Sequence, residues 1–520
     1  MSRKLIRSTV VTGGMTLISR ITGLARDMAF ANLIGAGVGI AADAFYVAFR
    51  IPNFFRRIFG EGAFSQAFVP VFTEYKTRGS REDLRAFVDR MAGVLSGILF
   101  LFTLAGIAVA PLFVLVMAPG FGGEKFALTV EILRITFPYL LFVSLVALAA
   151  GILNSYGRFG AAAFTPVLLN VCLIVAAVWV APQLERPVLA LAWGVFIAGA
   201  LQLVFQAPFL ARLKLLPRPR LAPDHDGVAR VLRLMLPAIF GVSVAQINTM
   251  VNTILASFLA NGSVAWLTYS DRIMEFPLGV FGIALATVIL PSLSRKHASN
   301  APEEFSHLLD WALRWVFVIG IPATAALTVL AGPILTTLFH HGAFNDRDVH
   351  MTTQALIAFA FGLPGFILIK VLAPGFYARQ DTKTPMRVGV LAVLANIVLS
   401  LVLVFPLAHV GLALAVSVSA FINAGLLYRG LRRHKVYHPL PGWVGFIIRI
   451  MLATAAMTLV LVYGAGDPAA WLAASTWGRI GNLILWVTAG TAVYFVAALA
   501  LGLRPAQLLL KRREGAYGDE

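Results

Sequence analysis

Twelve ionisable side chains fall where charge is costly. Arg20, Arg26, Arg50, Arg56, Arg57, Arg272 and Lys370, with Asp27, Asp43, Glu61, Asp271 and Glu275, all lie inside long apolar runs. A central arginine in a bilayer costs about 2.5 to 3.5 kcal/mol on insertion scales, so these groups must face a watery or protein-lined interior. Internal ion pairing would tie helices together and accounts for single residues, but not for the set. Cations outnumber anions over the N-terminal half, which leaves an interior with net positive charge. The planar fork of arginine suits phosphate oxygens, so the natural ligand is a phosphate or pyrophosphate rather than a cationic drug.

Spacing adds direction to this chemistry. On a helix, residues seven apart share a face, so Asp43, Arg50 and Arg57, with Glu61 one turn on, form a stripe. Arg20 and Asp27 stack in the same way, while Arg26 projects to one side with Gly23 able to bend the helix between them. Asp271, Arg272 and Glu275 cluster on a later helix. Other chemistry is weak. Gly35-Ala36-Gly37-Val38-Gly39 has no strand before it and reads as a tight turn. His340-His341 are adjacent rather than at metal-ligand spacing, and the single cysteine, Cys172, excludes a disulfide framework and a cysteine metal site. Gly-x-Ser-x-Gly, Walker A and His-Glu-x-x-His patterns are missing, so no enzyme, cofactor or metal site is expected.

The elements that position these charges are membrane helices. In 520 residues, 59% are hydrophobic and 13% charged, and the mean hydropathy of +0.84 excludes a water-soluble enzyme. Apolar runs near 9–35, 40–75, 88–117, 126–152, 161–181, 187–211, 231–259, 264–292, 311–339, 350–376, 386–406, 410–430, 442–464 and 478–502 predict an all-α polytopic membrane protein of about fourteen helices. The net charge of +18 lies mostly in short loops on one side, including Lys76, Arg78, Arg212, Lys214, Arg295, Lys296, Arg432, Arg433, Lys511, Arg512 and Arg513. The opposite side holds little beyond Lys125, Arg186, Arg347 and Arg479. This bias puts both termini in the cytoplasm and assigns the basic charge to topology rather than to nucleic acid. The first run is interrupted by Gly13, Gly14, Arg20 and Arg26, unlike a cleavable signal peptide.

A repeat at an offset of about 220 residues relates Ala67–Lys76 to Thr287–Lys296, aligning Pro70 with Pro291. Tyr156 followed by Thr165-Pro166 recurs as Tyr377 followed by Thr384-Pro385. The expected organisation is therefore an N-terminal lobe over 1–220, a C-terminal lobe over 221–437, and two further helices with a tail over 438–520.

Several blocks resemble a known family. Ser19-Arg20-Ile21-Thr22-Gly23-Leu24-Ala25-Arg26-Asp27, Ala42-Asp43-Ala44-Phe45, Pro52 through Phe59, and Glu61 through Pro70 are similar to the signature of the MurJ (MviN) lipid II flippases. Asp271 through Pro277 and Leu290 through Ser294 resemble its second-half signature. The resemblance implies the multidrug/oligosaccharidyl-lipid/polysaccharide exporter fold, with two six-helix lobes around a central cavity and two C-terminal helices forming a groove for a lipid tail. It implies a substrate, lipid II, moved from the cytoplasmic to the outer leaflet of the bacterial inner membrane for peptidoglycan synthesis. Membrane lipids and the cell-wall synthesis machinery are the implied partners, around a monomer.

By motif position, the resemblance gives Arg20, Arg26, Arg56 and Arg272 as cavity cations and Asp43 as a required acid. The stripe alone favours Arg57 over Arg56; Pro52 interrupts that stripe, and Arg57 stays a further substrate-binding candidate. Asp27, Arg50, Glu61, Asp271 and Glu275 join Asp43 as gating or charge-pairing residues. One branch of the family binds sodium through carboxylates in the seventh and eleventh spans, where this chain offers Asn248, Asn252 and Asn396. Two alternatives remain: a same-fold exporter of drugs or of another lipid-linked saccharide, and a membrane enzyme acting on polyprenyl phosphates.

Overall fold

The computed structural model describes residues 3–37, 39–222 and 224–503. Lys511, Arg512, Arg513 and Val38 lie outside the described residues, as does the side chain of Glu61. Every regular element described is helical. The chain divides into two units, one of residues 1–265 with 341–345, the other of 266–340 with 346–520.

The first unit contains α1 (Arg3–Ile34), α2 (Ala41–Arg56), a π-turn (Arg57–Gly62), α3 (Ala63–Arg78), α4 (Arg81–Ala108) and α5 (Ala110–Met117). It continues with α6 (Gly123–Thr136), α7 (Tyr139–Ser155), α8 (Phe159–Val175), α9 (Pro187–Arg212) and α10 (Asp226–Ser257). Within it α1 lies along α8, α2 along α6, α7 along α9, and α3 along α10. Helix starts follow local chemistry: Ser80 and Asp83 make a reciprocal capping box at α4, and Pro187 occupies the first turn of α9 where its missing N–H costs nothing.

The second unit contains α11 (Ser263–Pro277), whose first three residues belong to the first unit, a π-turn (Leu278–Gly282), α12 (Ile283–Ala298), α13 (Pro302–Val329) and α14 (Ala331–Phe339). It continues with α15 (Asp346–Phe361), α16 (Leu363–Tyr377), α17 (Lys383–Arg433), α18 (Trp443–Ala465), α19 (Pro468–Ala473) and α20 (Thr476–Ala500). Its core packs α13 against α18 and α20 through Val318, Leu330, Ile450, Met457 and Tyr494. The long α17 carries a backbone break at Ala408 (φ 48°), between the two runs expected there.

Each expected span falls on helix. Among the described residues, nine helical stretches are long and apolar enough to cross a membrane, α17 covering two expected runs. The expected spans below that threshold are α1, α2–α3, α10 and α11–α12. Three of these four hold all eleven candidate residues, and the exception, α10, supplies partners to two of them, so the apolar deficit and the chemistry coincide.

The offset of about 220 residues reappears as local structure. A π-turn opens at Arg57 and again 221 positions later at Leu278. The α4–α5 break at Val109 likewise recurs at Leu330, between α13 and α14. Pi-turns widen a helix by one residue and redirect the side chains that follow, and here they lie next to the charged segments.

One close approach needs glycine. Gly35 ends α1 at φ +57°, and a β-carbon there would lie 2.4 Å from the Ala343 carbonyl oxygen. Gly342 (φ +56°) would carry its own β-carbon 2.2 Å from Asn32 Oδ1. Residues 341–345 thus seat on the end of α1, held by the Ala343 N–H donating to the Asn32 carbonyl at 3.0 Å.

Candidate functional site

The candidate charges fall into groups set by their helices. On α1, Arg26 donates from Nε and Nη2 to Asp27 Oδ1 at 3.0 and 2.6 Å, and from Nη1 to Asn170 Oδ1 at 3.0 Å. Asp27 is 3% exposed, and Arg26 Cζ lies 5.7 Å from the centroid of the Phe30 ring. Asn170, on α8, also donates to the Ser19 carbonyl and the Thr22 hydroxyl at 3.0 and 3.1 Å. One amide thereby locks the turn that precedes Arg26 and orients its guanidinium. Arg20, one helical turn and a half earlier, is half-buried and makes no side-chain hydrogen bond or ion pair among the described residues.

The α2 stripe survives Pro52. Arg50 Nη1 donates to Thr253 Oγ1 at 2.6 Å and Arg57 Nη1 to Gln246 Oε1 at 3.0 Å. Donors seven apart therefore meet α10 acceptors seven apart, running in opposite directions, as a shared face requires. Arg56 is turned elsewhere: its Nε donates to Asn53 Oδ1 at 3.1 Å, on its own helix. Arg57 is exposed and Arg56 half-buried.

Asp43, at the other end of the stripe, is 1% exposed and fully engaged. Its Oδ2 accepts from Lys125 Nζ at 2.7 Å and from the Gly262 N–H at 2.9 Å, and its Oδ1 from the Ala265 N–H at 3.0 Å. The two amides open α11, where the positive end of the helix dipole favours a carboxylate. Lys125, read from sequence as a loop cation, is instead 8% exposed and starts α6, which runs beside α2. Its spacing within Gly123-Glu124-Lys125 carries no motif, so only the packing reveals it.

In the second unit, Arg272 Nη1 donates to Glu275 Oε2 at 3.1 Å, both side chains standing about half exposed at 41% and 51%. Asp271 is exposed on the same helix. Trp266, Asp348 and His409 form a separate buried knot: the indole Nε1–H donates to Asp348 Oδ1 at 2.8 Å, and the Trp266 and His409 rings lie 5.1 Å apart. Asp310, fully buried on α13, accepts from Tyr437, Leu440 N–H, Trp443 and Arg314. This pins the 437–443 turn beside an apolar groove of about 700 Å³ lined by Phe317, Leu372, Phe421, Tyr428 and Trp443. Among the described residues no group of three or more His, Cys, Asp or Glu could hold a metal ion.

Sequence reasoning therefore found the charges and missed their neutral partners. Asn170, Gln246 and Thr253 are two amides and a hydroxyl inside helices, and the signal that could have found them is that polarity, whereas Asn261 is an amide in the turn before α11.

Regular structure that is helical throughout the described residues, with nine stretches long and apolar enough to cross a membrane, defines a polytopic membrane protein. The fold alone is shared with an inward-facing multidrug resistance MATE family transporter of the MOP superfamily, at a TM-score of 0.66 and 17% identity over 82% of this chain and 98% of that one. A solved lipid II flippase MurJ in an inward closed conformation aligns at a TM-score of 0.79 and 26% identity, covering 94% of this chain and 98% of that one. The family profile for lipid II flippase MurJ matches residues 30–476. A probable lipid II flippase MurJ of Vibrio cholerae is 47% identical over 515 residues, 97% of each chain. The lipid II flippase MurJ of Burkholderia cenocepacia is 43% identical over 511 residues, 96% of this chain and 98% of its own. The chain belongs to the lipid II flippase MurJ family.

Proposed function

We propose that this protein flips lipid II across the bacterial inner membrane by alternating access, as a transporter and not an enzyme, with its arginines receiving the pyrophosphate. Arg20, Arg26 and Arg56 are the first unit's candidates for that contact, Arg57 a lesser one, and Arg272 is the second unit's. The observation that carries the reading is the state of Arg20 and Arg26. One guanidinium has no partner among the described residues, and the other is aimed by a neutral amide, Asn170, as well as by Asp27. An arginine whose only task was to hold helices together would be buried against carboxylate on both edges of its fork.

Only the head group crosses the low-dielectric region, and the polyprenyl tail stays in hydrocarbon. With both termini cytoplasmic, an inside-negative potential favours outward movement of the negative head group by about 2.3 kcal/mol per charge per 100 mV. The emptied cationic site is then drawn back inward. Asp43, held by the start of α11, closes the outer end in this reading. The chain acts as a monomer, with the cell-wall synthesis machinery taking up the delivered substrate.

The test is outer-face accessibility of the lipid II head group in a conditional-depletion strain carrying Arg26→Ala, Arg272→Ala or an Arg186→Ala control. Arg186 pairs with Glu131 on an exposed surface at 60% and 43% exposure. Loss of exposure and viability with the first two variants at wild-type protein levels supports the reading; rescue by all three contradicts it.

A further inference from the structure

Lys125 is a buried cation whose partners lie on α2 and in the turn before α11. Its Nζ lies 2.7 Å from Asp43 Oδ2 and 3.0 Å from Asn261 Oδ1, and 4.0 Å from the centre of the Phe121 ring. Asp43 and Lys125 are 1% and 8% exposed. The remaining partners of Asp43 are the Gly262 and Ala265 amides. Three groups, one from α6 and two from the turn into α11, thus converge on one α2 carboxylate, with every atom inside the first unit.

We propose that Lys125 is a positioning residue that latches the expected outer end of the transporter, and that the latch works because the Lys125–Asp43 pair is dry only when that end is closed. This rests on the alternating-access reading above. A carboxylate–ammonium pair is strongly coupled where water is excluded, and nearly worthless where both groups are hydrated. Opening the end wets Asp43 and Lys125 together, so each ion regains its hydration and the pair ceases to matter. Closing it without Lys125 buries Asp43 with two neutral amides and no countercharge, which is the costly arrangement for an ion. Lys125 therefore stabilises the closed state selectively. Its second bond, to Asn261 in the turn before α11, acts in the same direction, since it draws that turn onto the pair. Phe121 covers the amine on its remaining side.

The direction of the effect is specific. Lys125→Met, which keeps the length and removes the charge, strands Asp43 in the closed state and shifts the equilibrium toward an open outer end. Lys125→Arg preserves the charge. Combining Lys125→Met with Asp43→Asn removes both charges and abolishes the stranded ion.

The experiment places a reporter thiol at Ser263, which is 1% exposed at the start of α11, in a Cys172→Ser background of the full-length protein in right-side-out membrane vesicles. Labelling by a membrane-impermeant maleimide from the outer face is followed with time. The expected result is labelling about tenfold faster or more in Lys125→Met, close to the parent rate in Lys125→Arg, and slowed again in the Lys125→Met/Asp43→Asn pair. An unchanged rate in Lys125→Met, or equal rates in Lys125→Met and the double variant, overturns the proposal. If Lys125→Met fails to accumulate, recovery of protein in the double variant supports the stranded charge, and loss of both overturns it. Lipid II exposure measured in parallel on Arg26→Ala separates the two readings: thiol labelling contains no substrate, so the latch and the flippase assignment fail independently.

Discussion

Asp43 and Arg20 sit in the same unit, both inside apolar runs, and differ in what surrounds them. Asp43 has three polar groups converging on it and is 1% exposed, whereas Arg20 is half-buried and has no side-chain partner among the described residues. A buried charge with its hydrogen bonds satisfied is part of the protein's own structure. A charge left accessible within an apolar run is, on the proposed reading, poised for a ligand. Arg26 lies between the extremes, with Asp27 and Asn170 holding its orientation. On the proposed reading, burial and partner count separate the latch from the ligand site, although placement inside an apolar run does not.

Substitutions can break that contrast or sharpen it. The largest effect is expected for Asp43→Ala, which leaves Lys125 buried without its anion; loss of about 3 to 5 kcal/mol is expected, visible as a lower melting temperature in detergent or loss of the protein from membranes. Arg20→Ala should leave thermal stability unchanged to within about 0.5 kcal/mol, and a large loss there would remove the distinction. Asn170→Ala comes next: three hydrogen bonds linking α8 to α1 are removed, and about 1 to 3 kcal/mol of stability should go with them. The same variant should weaken lipid II binding through a mispositioned Arg26. Arg57→Gln is expected to cost about 0.2 to 1 kcal/mol, since its bond to Gln246 is exposed; a thermal shift assay reads it, and a larger loss would move Arg57 to the structural side of the comparison.

The smallest effect is pH-dependent and lies outside the membrane-spanning segments. His225 precedes α10, its ring centre 5.9 Å from that of Tyr75 and 6.1 Å from that of Phe87. Burial, and then Arg90, pushes its pKa below the usual histidine value, with Asp226 and Asp83 acting in the opposite direction. A base depressed in the folded state binds fewer protons than in the unfolded one, so its contribution is complete above pH of about 6.5 and is lost as pH falls through the folded value. Hydrogen exchange in the first turn of α10 should accelerate slightly between neutral pH and pH of about 5.5, after correction for intrinsic rates, and His225→Phe should abolish the change.

Most of the helical architecture was legible because lipid makes hydropathy and breaks decisive. The interruption between the runs ending near 406 and beginning near 410 appears as the left-handed backbone at Ala408. The weak repeat in Ala67–Lys76 and Thr287–Lys296 has a structural counterpart in the π-turns at Arg57 and Leu278. The stripe of Asp43, Arg50 and Arg57 was readable from spacing alone, and its α10 acceptors were not, because Gln246 and Thr253 are 189 and 203 positions away in sequence. Long-range pairing also hid Lys125. A lysine near a helix start on the sparsely charged side looks like a loop residue until α2 and α6 are brought together. The seating of residues 341–345 on α1 was hidden for the same reason, since Gly342 announces a turn and not the surface that turn meets.

The most direct test of the account is binding of lipid II and of a matched polyprenol lacking phosphate to the purified protein in nanodiscs, compared between wild type, Arg20→Ala and Arg26→Ala. Charge-assisted hydrogen bonds contribute about 1.5 to 3 kcal/mol each, so each substitution should weaken lipid II binding roughly tenfold or more while leaving polyprenol binding unchanged. Equal lipid II affinity in all three proteins would contradict the assignment of these arginines to the pyrophosphate.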